Sequence, residues 1–185
     1  MTDRFLNYCN RFLLPHETVF ARGHIGDYAF AVTEDVEGDN GGLTKFGIDA
    51  ASHAGTDIAH LTVDQARQIY FYRDWSVTGA EHLPPGWGEI ACDIHVNGGD
   101  WAKECQIALN AVLPAGQLLD VDGFVGPVTV AAMQSEGKAG LMSLLHVRES
   151  YYQSLAQEYA HDRQFLAGWT NRVNDLHDFV LQILS

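Results

Sequence analysis

Glu17 closes the apolar run "LLPHETVF", and beyond it the chain carries Asp27, Glu34, Asp35, Glu37 and Asp39 around the stretch "DNGGLTKFGI". Acid-catalysed cleavage of a glycosidic bond needs one carboxylic acid kept protonated by apolar surroundings. It usually also needs a second, ionised carboxylate to direct water or stabilise the oxocarbenium ion. An acid at a helix end followed by a glycine-rich, acid-bearing hairpin supplies both. Leu13, Leu14, Val19 and Phe20 are the side chains expected to desolvate Glu17 and keep it protonated. The same residues also suit the solvated end of a surface helix, and residue types alone leave both readings open.

Elements must position these groups. Phe5, Tyr8, Cys9, Phe12 and Leu13 recur at helical spacing behind Thr2 or Asp3, which predicts a helix to about Pro15 with Glu17 at its end. Between Gly23 and Gly47, "DYAFAVTEDV" alternates in part among turn-forming glycines and predicts one or two short strands. Gly41 and Gly42 suit a turn of unusual dihedrals or the close approach of a sugar. "TVDQARQIYFYRDW" has Thr62 ahead of Gln65 in capping-box spacing and predicts a helix over about 63–75. "WGEIACDIHVN" and "DWAKECQIALNAVL" read as helices parted by Gly98 and Gly99. Pro127 starts another, and residues 139–160 and 162–184 keep helical spacing. With no repeat, linker or low-complexity tract, the expectation is a single, mainly α (α+β) domain with a small β element.

Composition narrows the function. The 185 residues, 46% apolar, suffice for one substantial core. A net charge of −13 with only 11 Lys and Arg argues against nucleic acid, whose binding depends on clustered cations. It also gives no long-range attraction to anionic membranes or wall polymers. Cys9, Cys92 and Cys105 are odd in number and widely spaced, which predicts buried reduced thiols. The opening "MTDRFLNYCNRFLL" lacks the features of a Sec signal, and no run approaches the ~20 apolar residues that span a bilayer. "DVDG" lacks the later oxygen ligands of a calcium loop, and the nine His show no zinc-ligand spacing. No metal and no cofactor are expected.

"HETVF" followed by "DNGGLTKFGI" resembles the amino-terminal signature of glycoside hydrolase family 108, peptidoglycan muramidases. The resemblance continues in order through "FYRDW", "CDIHVNGGDWAKECQIALN", "DVDGFVGPVTVAAM" and "FLAGWTNRVNDL", across about residues 13–176. The fourth of these is similar to the Asp-Gly-x-x-Gly-Pro-x-Thr motif of the peptidoglycan domain associated with that family. The resemblance implies a lysozyme-like helical fold with a β-hairpin near the N-terminus. It also implies one muramidase domain, with a catalytic part over about 1–90 and a helical peptidoglycan-domain part over about 91–185.

Carried over by residue, the catalytic Glu falls on Glu17, and the Asp and Thr of the glycine-rich strand on Asp39 and Thr44. Thr18 and Val19 stand where that pattern has two glycines, Phe20 where it has tyrosine, and residues 21–38 form a longer connection than is usual. Glu34 is therefore the rival to Asp39 as second carboxylate. Asn97 is a candidate for binding an acetamido group or for capping the helix near Asp100. Tyr70, Trp75 and Trp87 offer rings for sugars to pack on, or core. Trp169 is expected in the core. The implied activity is hydrolysis of the β-1,4 bond between N-acetylmuramic acid and N-acetylglucosamine in peptidoglycan glycan strands, by a monomer acting on the cell wall after release or delivery from the cytoplasm, as in a phage endolysin. A lytic transglycosylase and a catalytically silent wall-binding module are the alternatives.

Overall fold

A computed structural model describes residues 1–35 and 41–185. Asp39 and Glu37 lie outside the described residues. The chain divides into two compact units, Met1–Arg73 and Asp74–Ser185.

The first unit opens as the apolar spacing demands. Helix α1 (Asp3–Tyr8) is capped by Thr2, whose hydroxyl accepts the Phe5 N–H at 3.3 Å. It continues through a π-helical segment (Cys9–Leu13) into α2 (Leu14–Glu17). The widened turn lets the Leu14 N–H reach the Cys9 carbonyl immediately before Pro15, which has no N–H to extend the ladder. Phe5, Tyr8, Cys9, Phe12, Leu13 and Leu14 form the buried face of this run.

Strands β1 (Thr44–Lys45) and β2 (Ile48–Asp49) pair antiparallel, Thr44 opposite Asp49 and Lys45 opposite Ile48. Phe46 and Gly47 connect them with φ of 56° and 72°. Two left-handed residues in succession make the primed turn whose twist matches a hairpin. The hairpin thus falls after the acid-rich stretch, not within "DYAFAVTEDV" as the alternation suggests. There the chain makes a 3-10 turn (Tyr28–Phe30) and two isolated bridges, Phe20 with Ala31 and Glu34 with Thr44. Gly23 and Gly26, at φ of 87° and 86°, and the Asp27 carboxylate, which accepts the Ala29 N–H at 3.1 Å, spend the backbone on local turns instead of a ladder.

Helix α3 (Val63–Tyr70) starts with the full capping box and runs into a π-helical segment (Phe71–Trp75). Arg67 Nε donates to Asn10 Oδ1 at 2.8 Å, and the Phe5 and Phe71 rings meet edge-on at 5.1 Å, fixing α3 to the opening helix.

The second unit is helical: α4 (Trp87–Val96), α5 (Trp101–Asn110), α6 (Pro127–Glu158) and α7 (Leu166–Ile183). Helix α6 breaks at Gly137, whose φ is 47°. Trp75 and Trp87 are core residues at 1% exposure, whereas Trp169, expected to be buried, is half-buried and stacks on Tyr152 at 4.9 Å. Two buried ion pairs cross this core. Arg172 grips Asp93 Oδ1 through Nε at 3.0 Å and Nη2 at 2.8 Å. Arg148, fully buried, meets Glu104 at 3.1 Å and also donates to the Gly98 carbonyl at 3.0 Å. The α4–α5 turn needs Gly99, because a methyl group there would sit 2.5 Å from Glu104 Oε1 and 2.6 Å from Arg148 Nη1. All three cysteines are free and buried, and burial pushes the Cys9 thiol up to about 12. No helix among the described residues is long and apolar enough to cross a membrane.

Candidate functional site

Glu17 is the last residue of α2, and the chain leaves the helix at Thr18, which is extended (φ −110°, ψ 121°). The exit points the Glu17 side chain at the hairpin. Its Oε1 is closed off from solvent, while the residue as a whole is only part-buried. Leu13 and Leu14 behind it are fully buried; Val19, expected to help desolvate it, is 47% exposed. His16, one residue back, turns its Nδ1 onto the Phe12 carbonyl at 2.8 Å.

The hairpin turn receives this carboxyl. A methyl group on Gly47 would collide with Glu17 Oε2, lie 3.0 Å from Glu17 Cβ and stand 2.7 Å from the Tyr70 hydroxyl oxygen. Only a residue without a side chain lets α2 approach so closely, and its positive φ independently favours glycine. Gly47 itself is exposed, so this meeting point reaches the surface. Phe46, by contrast, is 2% exposed and left-handed, an uncommon conformation for a bulky side chain. The Tyr70 hydroxyl donates to its carbonyl at 2.7 Å in a buried hydrogen bond.

Thr44 stands at the start of β1. Its hydroxyl donates to the Gly42 carbonyl at 3.2 Å, and its backbone exchanges two 2.8 Å hydrogen bonds with Glu34. Residues that exchange both bonds face each other across an antiparallel pair, so the Glu34 and Thr44 side chains leave the ribbon on the same side. Glu34 is exposed. Gly42 is left-handed at φ 67°, in keeping with a turn of unusual dihedrals.

Of the other expected contacts, Tyr70 is 4% exposed and presents its hydroxyl rather than its ring face. Asn97 lies in the second unit, where its side-chain amide donates to the Asp93 carbonyl at 3.0 Å and closes α4; the cap of α5 is Asp100, which accepts the Lys103 N–H at 3.2 Å. Among the described residues no group of three His, Cys, Asp or Glu side chains is placed to hold a metal ion.

Phe46 and Gly47 were not singled out from sequence. The available signal was a glycine two residues after Lys45 between apolar and β-branched neighbours, the mark of a two-residue hairpin loop.

Comparison with known proteins finds matches to two families. Residues 32–99, which contain Glu34, Thr44, the hairpin and α3, match the family Glycosyl hydrolase 108. Residues 106–174 match a family described as Predicted Peptidoglycan domain. Together these matches support a glycoside hydrolase that acts on peptidoglycan and hence on the cell wall. Glu17 precedes the matched segment. Among solved structures, the chain is similar to SagA of Brucella abortus, with 23% sequence identity, a TM-score of 0.63, and coverage of 81% of this chain and 86% of that one. At that identity the likeness concerns the fold, a mainly α lysozyme-like arrangement with a small hairpin. No curated protein matches the sequence.

Proposed function

We propose that the protein is an N-acetylmuramidase, cleaving the β-1,4 bond between N-acetylmuramic acid and N-acetylglucosamine with Glu17 as general acid. One observation carries the reading: the Glu17 carboxyl, delivered by the end of α2, packs against Gly47 in the turn of the hairpin that also bears Thr44. One Glu17 oxygen is shut off from water with the buried Leu13 and Leu14 behind it, and the role assigned to Glu17 is to deliver a proton to the leaving oxygen. Water then attacks the anomeric carbon and its proton passes to the second carboxylate.

For that second group, the resemblance points to Asp39 with Thr44. The Glu34–Thr44 bridge adds a physical argument for Glu34, which shares a face with the threonine hydroxyl. Carboxyls ~5 Å apart imply a covalent intermediate, whereas ~6.5 to 9.5 Å leaves room for the attacking water and implies inversion. The aliphatic stems of Leu13 and Leu14, Thr44 and the chosen carboxylate complete the site without a cofactor. Delivery to the wall by release from the cytoplasm, as in an endolysin, fits this activity.

Mass spectrometry of digested peptidoglycan tests the reaction class. Hydrated N-acetylmuramic acid at the new reducing ends is expected. New ends on N-acetylglucosamine would move the cleaved bond, and 1,6-anhydro ends would make the enzyme a lytic transglycosylase in which the muramic 6-hydroxyl replaces water.

A further inference from the structure

Three elements meet at one point in the first unit: the end of α2, the hairpin turn and the end of α3. The turn carries a strained residue. Phe46 is held left-handed, a conformation that costs energy for any bulky L-residue and that persists only where its surroundings enforce it. Two contacts enforce it. The Phe46 ring is buried, and its carbonyl accepts the Tyr70 hydroxyl at 2.7 Å. Tyr70 is in turn placed by α3, of which it is the last residue. The same hydroxyl oxygen and Glu17 Oε2 converge on the one spot where a residue other than glycine at position 47 would carry its methyl group.

We propose that Tyr70 is a positioning residue for hydrolysis: its hydroxyl locks the strained Phe46–Gly47 turn, and the locked turn is the seat that aims the Glu17 carboxyl. The inference rests on the reading of Glu17 as the acid. A glutamate side chain has several rotatable bonds, and a donor displaced by about 1 Å loses much of its advantage in proton transfer. Without the hydroxyl the Phe46 carbonyl is a buried acceptor in need of a new partner, and the peptide between residues 46 and 47 can rotate out of its strained turn. Gly47 then moves and the carboxyl loses its wall. Tyr70 never touches the sugar in this account; it acts through the turn. That is also why its ring is buried while a ring that stacks on substrate would be open.

Tyr70→Phe, which removes one oxygen and little else, is the test, with kcat and KM measured on soluble peptidoglycan fragments. The expected result is a kcat roughly tenfold lower at nearly unchanged KM. Thr62→Ala is the control, since it weakens α3 at its other end without touching the turn: it lowers Tm and leaves kcat as it was. Gly47→Ala puts a methyl group into the seat, and in the double variant with Tyr70→Phe the kcat losses do not multiply, because both act on the same contact. The inference is overturned if Tyr70→Phe keeps kcat within about twofold of the parent. It is equally overturned if Thr62→Ala loses as much kcat as Tyr70→Phe, since the hydroxyl would then matter only for stability. An inactive Glu17→Gln beside a fully active Tyr70→Phe removes this inference alone; an active Glu17→Gln removes the acid assignment beneath it.

Discussion

The two units set their carboxylates in different ways. In the second, Asp93 is matched with Arg172 and Glu104 with Arg148, while Glu89 accepts the Gly86 N–H at 2.8 Å. In the first, Glu17 is fitted against a glycine beside a phenol, at the rim of an exposed turn. An arginine pair fixes charge, and a carboxylate so held is a poor proton donor. A seat made of a glycine and a hydroxyl restricts where the Glu17 carboxyl can stand. Even within the second unit the balance is fine, since burial pushes Glu104 above the usual carboxylate range although Arg148 pulls it down. The contrast sets carboxylates tied into the second unit beside the one proposed as the acid.

Removing half of an ion pair is the harshest way to probe that contrast. Arg148→Met leaves Glu104 buried without its cation and strands the Gly98 carbonyl, so urea unfolding is expected to register a loss of about 3 to 5 kcal/mol. Glu17→Gln, by comparison, is expected to leave the unfolding midpoint close to that of the parent, because it removes a titrating proton and little volume. Equal losses from the two would erase the distinction.

A milder effect comes from the caps. Thr62→Ala removes the acceptor for the Gln65 N–H and is expected to cost about 1 kcal/mol by the same unfolding measurement.

The smallest effect is one of pH. The Asp122 carboxylate is held below its ordinary value of 3.8 by a hydrogen bond from the Gln106 amide and another from the Phe124 N–H. A group whose folded pKa is depressed contributes stability above its unfolded pKa and loses it as pH falls through the folded one. Asp122→Asn is therefore expected to lose less stability than the parent between pH 5 and about 3, with only a slight difference at neutral pH, because this carboxylate is exposed. A parallel fall of both proteins would show that Asp122 is not part of the acid response.

How much of this was legible in the sequence depended on distance along the chain. Thr62 and Gln65 lie within one helical turn, and their capping box is present as read. The apolar spacing from Phe5 to Leu13 gave the opening helix, although nothing in it marked the π-helical widening ahead of Pro15. The strands were expected too early, because partial alternation in "DYAFAVTEDV" outweighed the turn signal in "KFGI". Phe46 conceals that turn, since a buried aromatic is not the residue that left-handed φ favours. The Asp93–Arg172 pair joins residues too far apart in sequence for spacing to suggest it. Asn97 illustrates the limit at short range: it sits between two helices, and its side chain closes the first instead of starting the second. The meeting of Glu17 with Gly47 and Tyr70 needed both the family signature and the coordinates. The resemblance singled out Glu17 as the expected acid, and the structure shows what its side chain packs against.

Release of reducing ends from purified peptidoglycan by the parent protein and by Glu17→Gln, with Tm recorded for both, tests the central claim most directly. The account predicts ready release by the parent and a rate lower by about 10² to 10⁴ in the variant, at matching Tm. A variant that still releases ends at the parental rate, or a parent that sediments with the wall and releases none, would contradict it.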